Sequence, residues 1–128
     1  MPQPIVVDTS VVAALLFNEP AASDVANRLL DTTMYAPILI RYELANVAVI
    51  KARKYSDSST EIIAGFELLP QLGIKYLDVE DREVVQLAKE ASLTAYDASF
   101  MWLARNLDCA LYSFDAKLNR IFMENSCE

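Results

Sequence analysis

Four carboxylates stand out by where they fall: Asp8, Glu43, Asp97 and Asp115. Asp8 closes the β-branched run Ile5-Val6-Val7, and Asp115 follows the apolar run Ala110-Leu111-Tyr112-Ser113. In an open parallel sheet, ligands bind outside the carboxyl ends of the strands, so both acids meet that requirement. Glu43 is spaced with Ile40, Val47 and Ile50 along one helical stripe, where an apolar residue normally stands. An inward-facing carboxylate is costly unless it is paired or bound to a metal. The plain alternatives are a salt bridge to Arg41 or a lysine, and an acid snorkelling at the stripe edge. Asp97 lies at the upper edge of the stripe Phe100, Met101, Ala104. Thr94 followed three residues later by Asp97 also reads as a capping box, and Asp8 and Asp115 read equally well as helix caps.

If the four converge, their chemistry is constrained. Two carboxylates about 5 Å apart repel by roughly 3 kcal/mol at an effective dielectric of about 20. Four together need a cation, or some must hold protons. Oxygen-only ligation suits Mg²⁺, with Mn²⁺ as substitute, and not Zn²⁺. Such a site activates water and neutralises a phosphodiester oxygen. The chain has no His, which excludes a Ser-His-Asp triad, a Cys-His pair, histidine zinc sites and two-His ribonuclease chemistry. Its two glycines, Gly65 and Gly73, exclude a Gly-rich phosphate loop or dinucleotide fingerprint.

The elements that must position these acids alternate in type. Strands are predicted at Ile5–Val7, Met34–Ala36, Ile74–Leu77 and Ala110–Ser113. Helices are predicted at Val11–Phe17, from Pro20 to about Leu30, Ile38–Lys54, from Ser58 or Ser59 to about Leu69, Asp81–Ala91, Ala95–Leu107 and Ala116–Met123. Strands alternating with helices predict one α/β domain over residues 1–128, with a small parallel sheet in an α/β/α sandwich. A fifth strand after Met123 has almost no sequence left to form it.

The 128 residues carry 11 basic and 18 acidic side chains, a net charge of −7 that argues mildly against nonspecific nucleic-acid binding. Arg41, Lys51, Arg53 and Lys54 form one local basic patch, and Asp78 to Glu90 is acidic; both also read as solvated helix faces. The hydrophobic fraction of 54% exceeds the usual ~45–50%, which indicates a deep core, an oligomer interface or both. Phe100, Met101, Trp102 and Leu103 suggest a helix buried on more than one face, part of it available to a two-fold dimer. Cys109 lies in an apolar run and reads as a core residue, while Cys127 is uninformative. No leader pattern and no apolar run of about 18 residues occurs, which points to the cytoplasm and no membrane span.

At these residues the chain resembles the PIN-domain ribonucleases, and within them the VapC-type toxins of toxin–antitoxin pairs. The matching stretches are Ile5-Val6-Val7-Asp8-Thr9-Ser10, Ala14-Leu15-Leu16 with Glu19-Pro20, Arg41-Tyr42-Glu43-Leu44-Ala45-Asn46, Tyr96-Asp97-Ala98 and Ser113-Phe114-Asp115. The resemblance implies that Asp8, Glu43, Asp97 and Asp115 are the catalytic, metal-binding acids, with Ser10 and Ser113 supporting them. It implies Mg²⁺- or Mn²⁺-dependent hydrolysis of RNA to 5′-phosphate and 3′-hydroxyl ends. It also implies a homodimer inhibited by a cognate antitoxin protein. Phosphotransfer of the haloacid-dehalogenase type needs a second Asp where Ser10 stands, and receiver-domain acids are absent. The alternative from another class is a noncatalytic PIN-like module that binds nucleic acid or protein; it predicts no saturable Mn²⁺ effect on stability.

Overall fold

The computed structural model describes residues 1–125. Four strands and seven α-helices alternate: β1 Gln3–Val7, α1 Thr9–Leu16, α2 Ala22–Arg28, β2 Thr32–Pro37, α3 Ile40–Lys54, α4 Ser59–Phe66, β3 Lys75–Leu77, α5 Asp81–Ala91, α6 Ala95–Asn106, β4 Ala110–Tyr112 and α7 Ala116–Asn125. The sheet is parallel throughout, in the order β3-β2-β1-β4. Central strand β1 pairs on both sides, with Ile5 opposite Met34 and Ala110. Its Ile5, Val6 and Val7 are all sealed from solvent, because a parallel strand between two helical layers has no wet face. That double burial is why the run is continuously β-branched rather than alternating.

The chain steps from β1 to β2 to β3 in one direction, then returns past β1 to β4. Right-handed crossovers then place α1–α4 on one face and α5–α6 on the other. Helix α6 packs across β1, β2 and β4, with α5 and α7 against it, while α1 packs on α2 and α3, and α3 on α4. The result is the expected three-layer α/β/α sandwich with a small parallel sheet.

Several local expectations change. Pro20 sits in the turn before α2 rather than in its first turn; Ala22 N–H donates to the Glu19 carbonyl, closing that turn first. Helix α4 stops at Phe66, and Leu69–Leu72 forms a 3₁₀ turn. Pro70 lacks the N–H that would extend the helix. The buried stripe of α3 is Ile40, Leu44 and Ala48, so Glu43 and Val47 flank it and Ile50 is 55% exposed. Phe100, Met101 and Leu103 are sealed inside the monomer, and the Trp102 indole donates to Glu83 Oε1 at 2.9 Å. The monomer's own core therefore uses the residues expected at a dimer surface, since α6 is covered by the sheet, α5 and α7. Cys109 is half-buried, and burial raises its thiol pKa above the ordinary value. Cys127, and any strand following α7, lie outside the described residues.

Candidate active site

The strand order reverses at β1, between its neighbours β2 and β4, and the loops leaving β1 and β4 diverge to opposite faces. Such a switch point leaves a crevice at the strand carboxyl ends. Asp8 follows β1 there, and Ser113 follows β4. The two chain ends are tied, since the Asp8 N–H donates to the Tyr112 carbonyl at 3.1 Å.

Asp8 is buried, and its carboxylate is fully engaged. Oδ1 accepts from the Ser10 hydroxyl at 2.6 Å and from the Val11 N–H at 3.2 Å, which makes Asp8 the N-cap of α1. Oδ2 accepts a short hydrogen bond from the Ser113 hydroxyl. These three donors replace the water that burial removes. Ser10 also reaches across to the β4 loop, and Ser113 braces that loop from within. Ser10 Oγ accepts from the Phe114 N–H at 3.1 Å, and Ser113 Oγ from the Asp115 N–H at 2.9 Å. Asp115 is exposed, and its Oδ1 accepts from the Leu118 N–H at 3.0 Å in the first turn of α7.

Glu43 and Asp97 each stand in the first turn of a helix, α3 and α6. Glu43 is half-buried, and its Oε1 accepts from the Thr9 hydroxyl at 2.6 Å. Burial pushes its pKa up, Asp97 and Asp8 push it further, and the Thr9 hydrogen bond opposes them. It makes no ion pair among the described residues; Arg41 lies over the Tyr76 ring, and Lys51 pairs with Glu19 at 3.2 Å. The salt-bridge alternative is thus not how this acid is held. Thr94 caps α6, accepting from the Asp97 N–H at 3.1 Å. Burial raises the Asp97 pKa, Asp115 and Asp8 add to the rise, and Thr94 and Lys117 oppose it.

All four acids therefore share one rim and one electrostatic field. Capping and convergence coexist, because a carboxylate has more lone pairs than one cap uses. Among the described residues, no three acidic side chains stand close enough to share a cation as placed. The donor set is nonetheless all oxygen, and the raised Glu43 and Asp97 mark a site where positive charge would be stabilising.

Two participants escaped the sequence reading. Thr9 carries no spacing signal of its own, although its hydroxyl directly follows a strand-end acid. Asn119 donates from Nδ2 to the Ser113 carbonyl at 2.8 Å and braces the β4 loop; its spacing from Asp115 on α7 was the available signal.

The fold has solved counterparts. The crystal structure of PAE2754 from Pyrobaculum aerophilum is similar with a TM-score of 0.66 at 20% identity, covering 98% of this chain and 91% of that one. VapC20 from Mycobacterium tuberculosis, described as a sarcin-ricin loop cleaving toxin, is similar with a TM-score of 0.64 at 15% identity, covering 91% of this chain and 93% of that one. No curated protein matches the sequence. The PIN domain family model matches residues 5–122, a span that runs from the buried β1 strand to α7 and takes in all four acids and both serines. This chain belongs to the PIN-domain family.

Proposed function

We propose that the protein is a Mg²⁺-dependent ribonuclease, with Mn²⁺ as substitute, that hydrolyses RNA phosphodiester bonds as the toxin of a VapBC-type pair. The reading is supported above all by four acids from four separate chain segments gathered on the switch-point rim. Family membership and the fold shared with VapC20, itself described as a sarcin-ricin loop cleaving toxin, point the same way. A cognate antitoxin, a homodimeric state and a cytoplasmic setting belong to the same reading. No helix of the described residues is long and apolar enough to cross a membrane.

A divalent cation, when bound, supplies water activation and charge neutralisation at the phosphodiester. Asp8, Glu43, Asp97 and Asp115 would hold it. Asp8 is the preorganised member, fixed by Ser10, Ser113 and the α1 backbone. Thr9 favours the charged form of Glu43 by donating to it, which offsets part of the rise that burial causes, and Thr94 and then Lys117 act in the same direction on Asp97. The Ser113 hydroxyl bond to Asp8 and the Phe114 N–H bond to Ser10 tie the β1 and β4 loops together, and the Ser113 bond from the Asp115 N–H fixes the backbone that carries Asp115.

The test is cleavage of a mixed RNA pool by the purified protein with Mg²⁺, with Mn²⁺ and with EDTA. Products with 5′-phosphate ends that vanish in EDTA and in Asp8→Asn are expected. Cleavage that persists undiminished in both sinks the proposal, and RNA retention without cleavage favours the noncatalytic binding module.

A further inference from the structure

A cavity lies at the opposite end of the sheet from the acids. It has a volume of about 680 Å³ and opens among the amino ends of the strands. Gln3 of β1, Thr32 of β2, Arg28 of α2, Arg105 of α6 and Phe122 of α7 line it, together with Asp108 just before β4. Two arginines thus share one pocket with one acid.

Arg105 is the unusual member. Its Nε and Nη2 are enclosed and have no hydrogen-bond partner. Neither arginine makes an ion pair among the described residues, although Asp108 lines the same cavity. Arg28 is exposed and lies over the Tyr112 ring, 5.6 Å from its centroid. A guanidinium stripped of water on two nitrogens, with no ion pair among the described residues, is costly to fold around. An anion in the cavity would provide a counter-charge.

Two guanidinium groups against one carboxylate leave the pocket net positive, and their two sets of donors favour an anion that presents several oxygens. A phosphate monoester carries close to two negative charges at neutral pH, and its oxygens match the fork of a guanidinium. The volume is in the range of small-molecule sites, and Phe122 offers an apolar wall to an organic body. The acid rim at the far end of the sheet repels the same ligand. We infer that this pocket binds the phosphate group of a small phosphomonoester, of nucleoside-monophosphate size, at a site separate from the carboxylates. The inference does not depend on the nuclease reading.

Melting curves of the full chain in EDTA test it, with AMP, inorganic phosphate and adenosine as probes. EDTA removes any cation that could bridge phosphate to the acids. AMP should raise the melting temperature saturably in the wild type and in Asp8→Asn. Arg105→Leu should abolish the shift, and Arg28→Ala should weaken apparent affinity at least tenfold. A shift from inorganic phosphate equal to that from AMP supports the site and assigns it to free phosphate. No shift with AMP, an adenosine shift as large as that of AMP, or an AMP shift that survives both arginine substitutions overturns it. Should Arg105→Leu fail to fold, the exposed Arg28 still decides the outcome.

Discussion

Thr9 Oγ1 donates to Glu43 Oε1 at 2.6 Å, joining the first residue of α1 to the first turn of α3 across 34 positions of sequence. Burial and the acidic neighbours Asp97 and Asp8 raise the Glu43 pKa, and this hydrogen bond offsets part of that rise. Thr9→Val removes the donor at nearly constant volume. It should cost about 1 kcal/mol of stability. If Glu43 is a metal ligand, apparent Mg²⁺ affinity should fall on the order of tenfold, as for other groups that orient ligands. Thr9→Ser should retain both properties. Urea titration and metal-dependence of cleavage measure the two effects, and equal metal affinity in Thr9→Val and wild type would detach Glu43 from the metal.

Asp8→Asn exchanges an acceptor of three hydrogen bonds for an amide that can accept on one atom only. Relief of repulsion among the acids is then outweighed by unsatisfied hydroxyl and N–H groups. Apo stability should fall by about 1–3 kcal/mol. Cleavage should fall by two orders of magnitude or more. Melting and RNA cleavage of the same preparation separate the two losses.

Acidification should relieve the apo protein at two positions. Glu43 and Asp97 both have pKa values raised by folding, so the native state binds protons that the unfolded chain has already released. Their contribution is therefore least favourable above the folded pKa values, and the loss disappears as pH falls through them toward the ordinary carboxylate range. Stability profiles in EDTA should show a shallower decline with rising pH in Glu43→Gln and Asp97→Asn than in wild type. Parallel profiles would mean the two acids do not feel the rim.

Mn²⁺ should stabilise the wild type by about 2.7 kcal/mol at a hundredfold excess over its dissociation constant. The shift should shrink sharply in Glu43→Gln and in Asp97→Asn. Calorimetric melting with graded Mn²⁺ reads it directly, and an identical shift in all three proteins would place the cation elsewhere.

Gly65 tests the fold apart from the chemistry. A Cβ there would sit 2.6 Å from the Leu16 carbonyl oxygen, at the close crossing of α4 over the end of α1. Gly→Ala in a helix normally gains up to about 1 kcal/mol. Here the clash is with backbone, so Gly65→Ala should instead destabilise, by about 1–3 kcal/mol. Denaturant midpoints decide the sign.

Element types and their order were legible because each strand or helix carries its own period. The β-branched Ile5-Val6-Val7 run, the Gly73 break, now seen with φ of 72°, and the Thr94 cap are local signals, and local physics honoured them. Asp8 and Asp115 were legible for the same reason, since an acid after a strand marks the sheet's carboxyl edge. The position of Glu43 was read through the wrong stripe. Ile40, Leu44 and Ala48 are buried at intervals of four, and no periodicity count foretells that Ile50 faces outward.

The sequence by itself determined an α/β chain without histidine whose acids Asp8 and Asp115 stand where strands of a parallel sheet end, and therefore a sheet edge that offers oxygen donors. Only the tertiary structure decided which groups answer those acids. Thr9 meets Glu43, and Ser113 meets Asp8, through contacts 34 and 105 residues apart. It also decided that the Phe100–Leu103 segment packs into the monomer core, and that Arg105 Nε and Nη2 are enclosed without a hydrogen-bond partner among the described residues at the opposite end of the sheet. The physical reason is one of range. Propensity, caps and burial period act over a few residues, whereas hydrogen-bond partners and charge neighbours are set by crossovers that bring distant strand ends together.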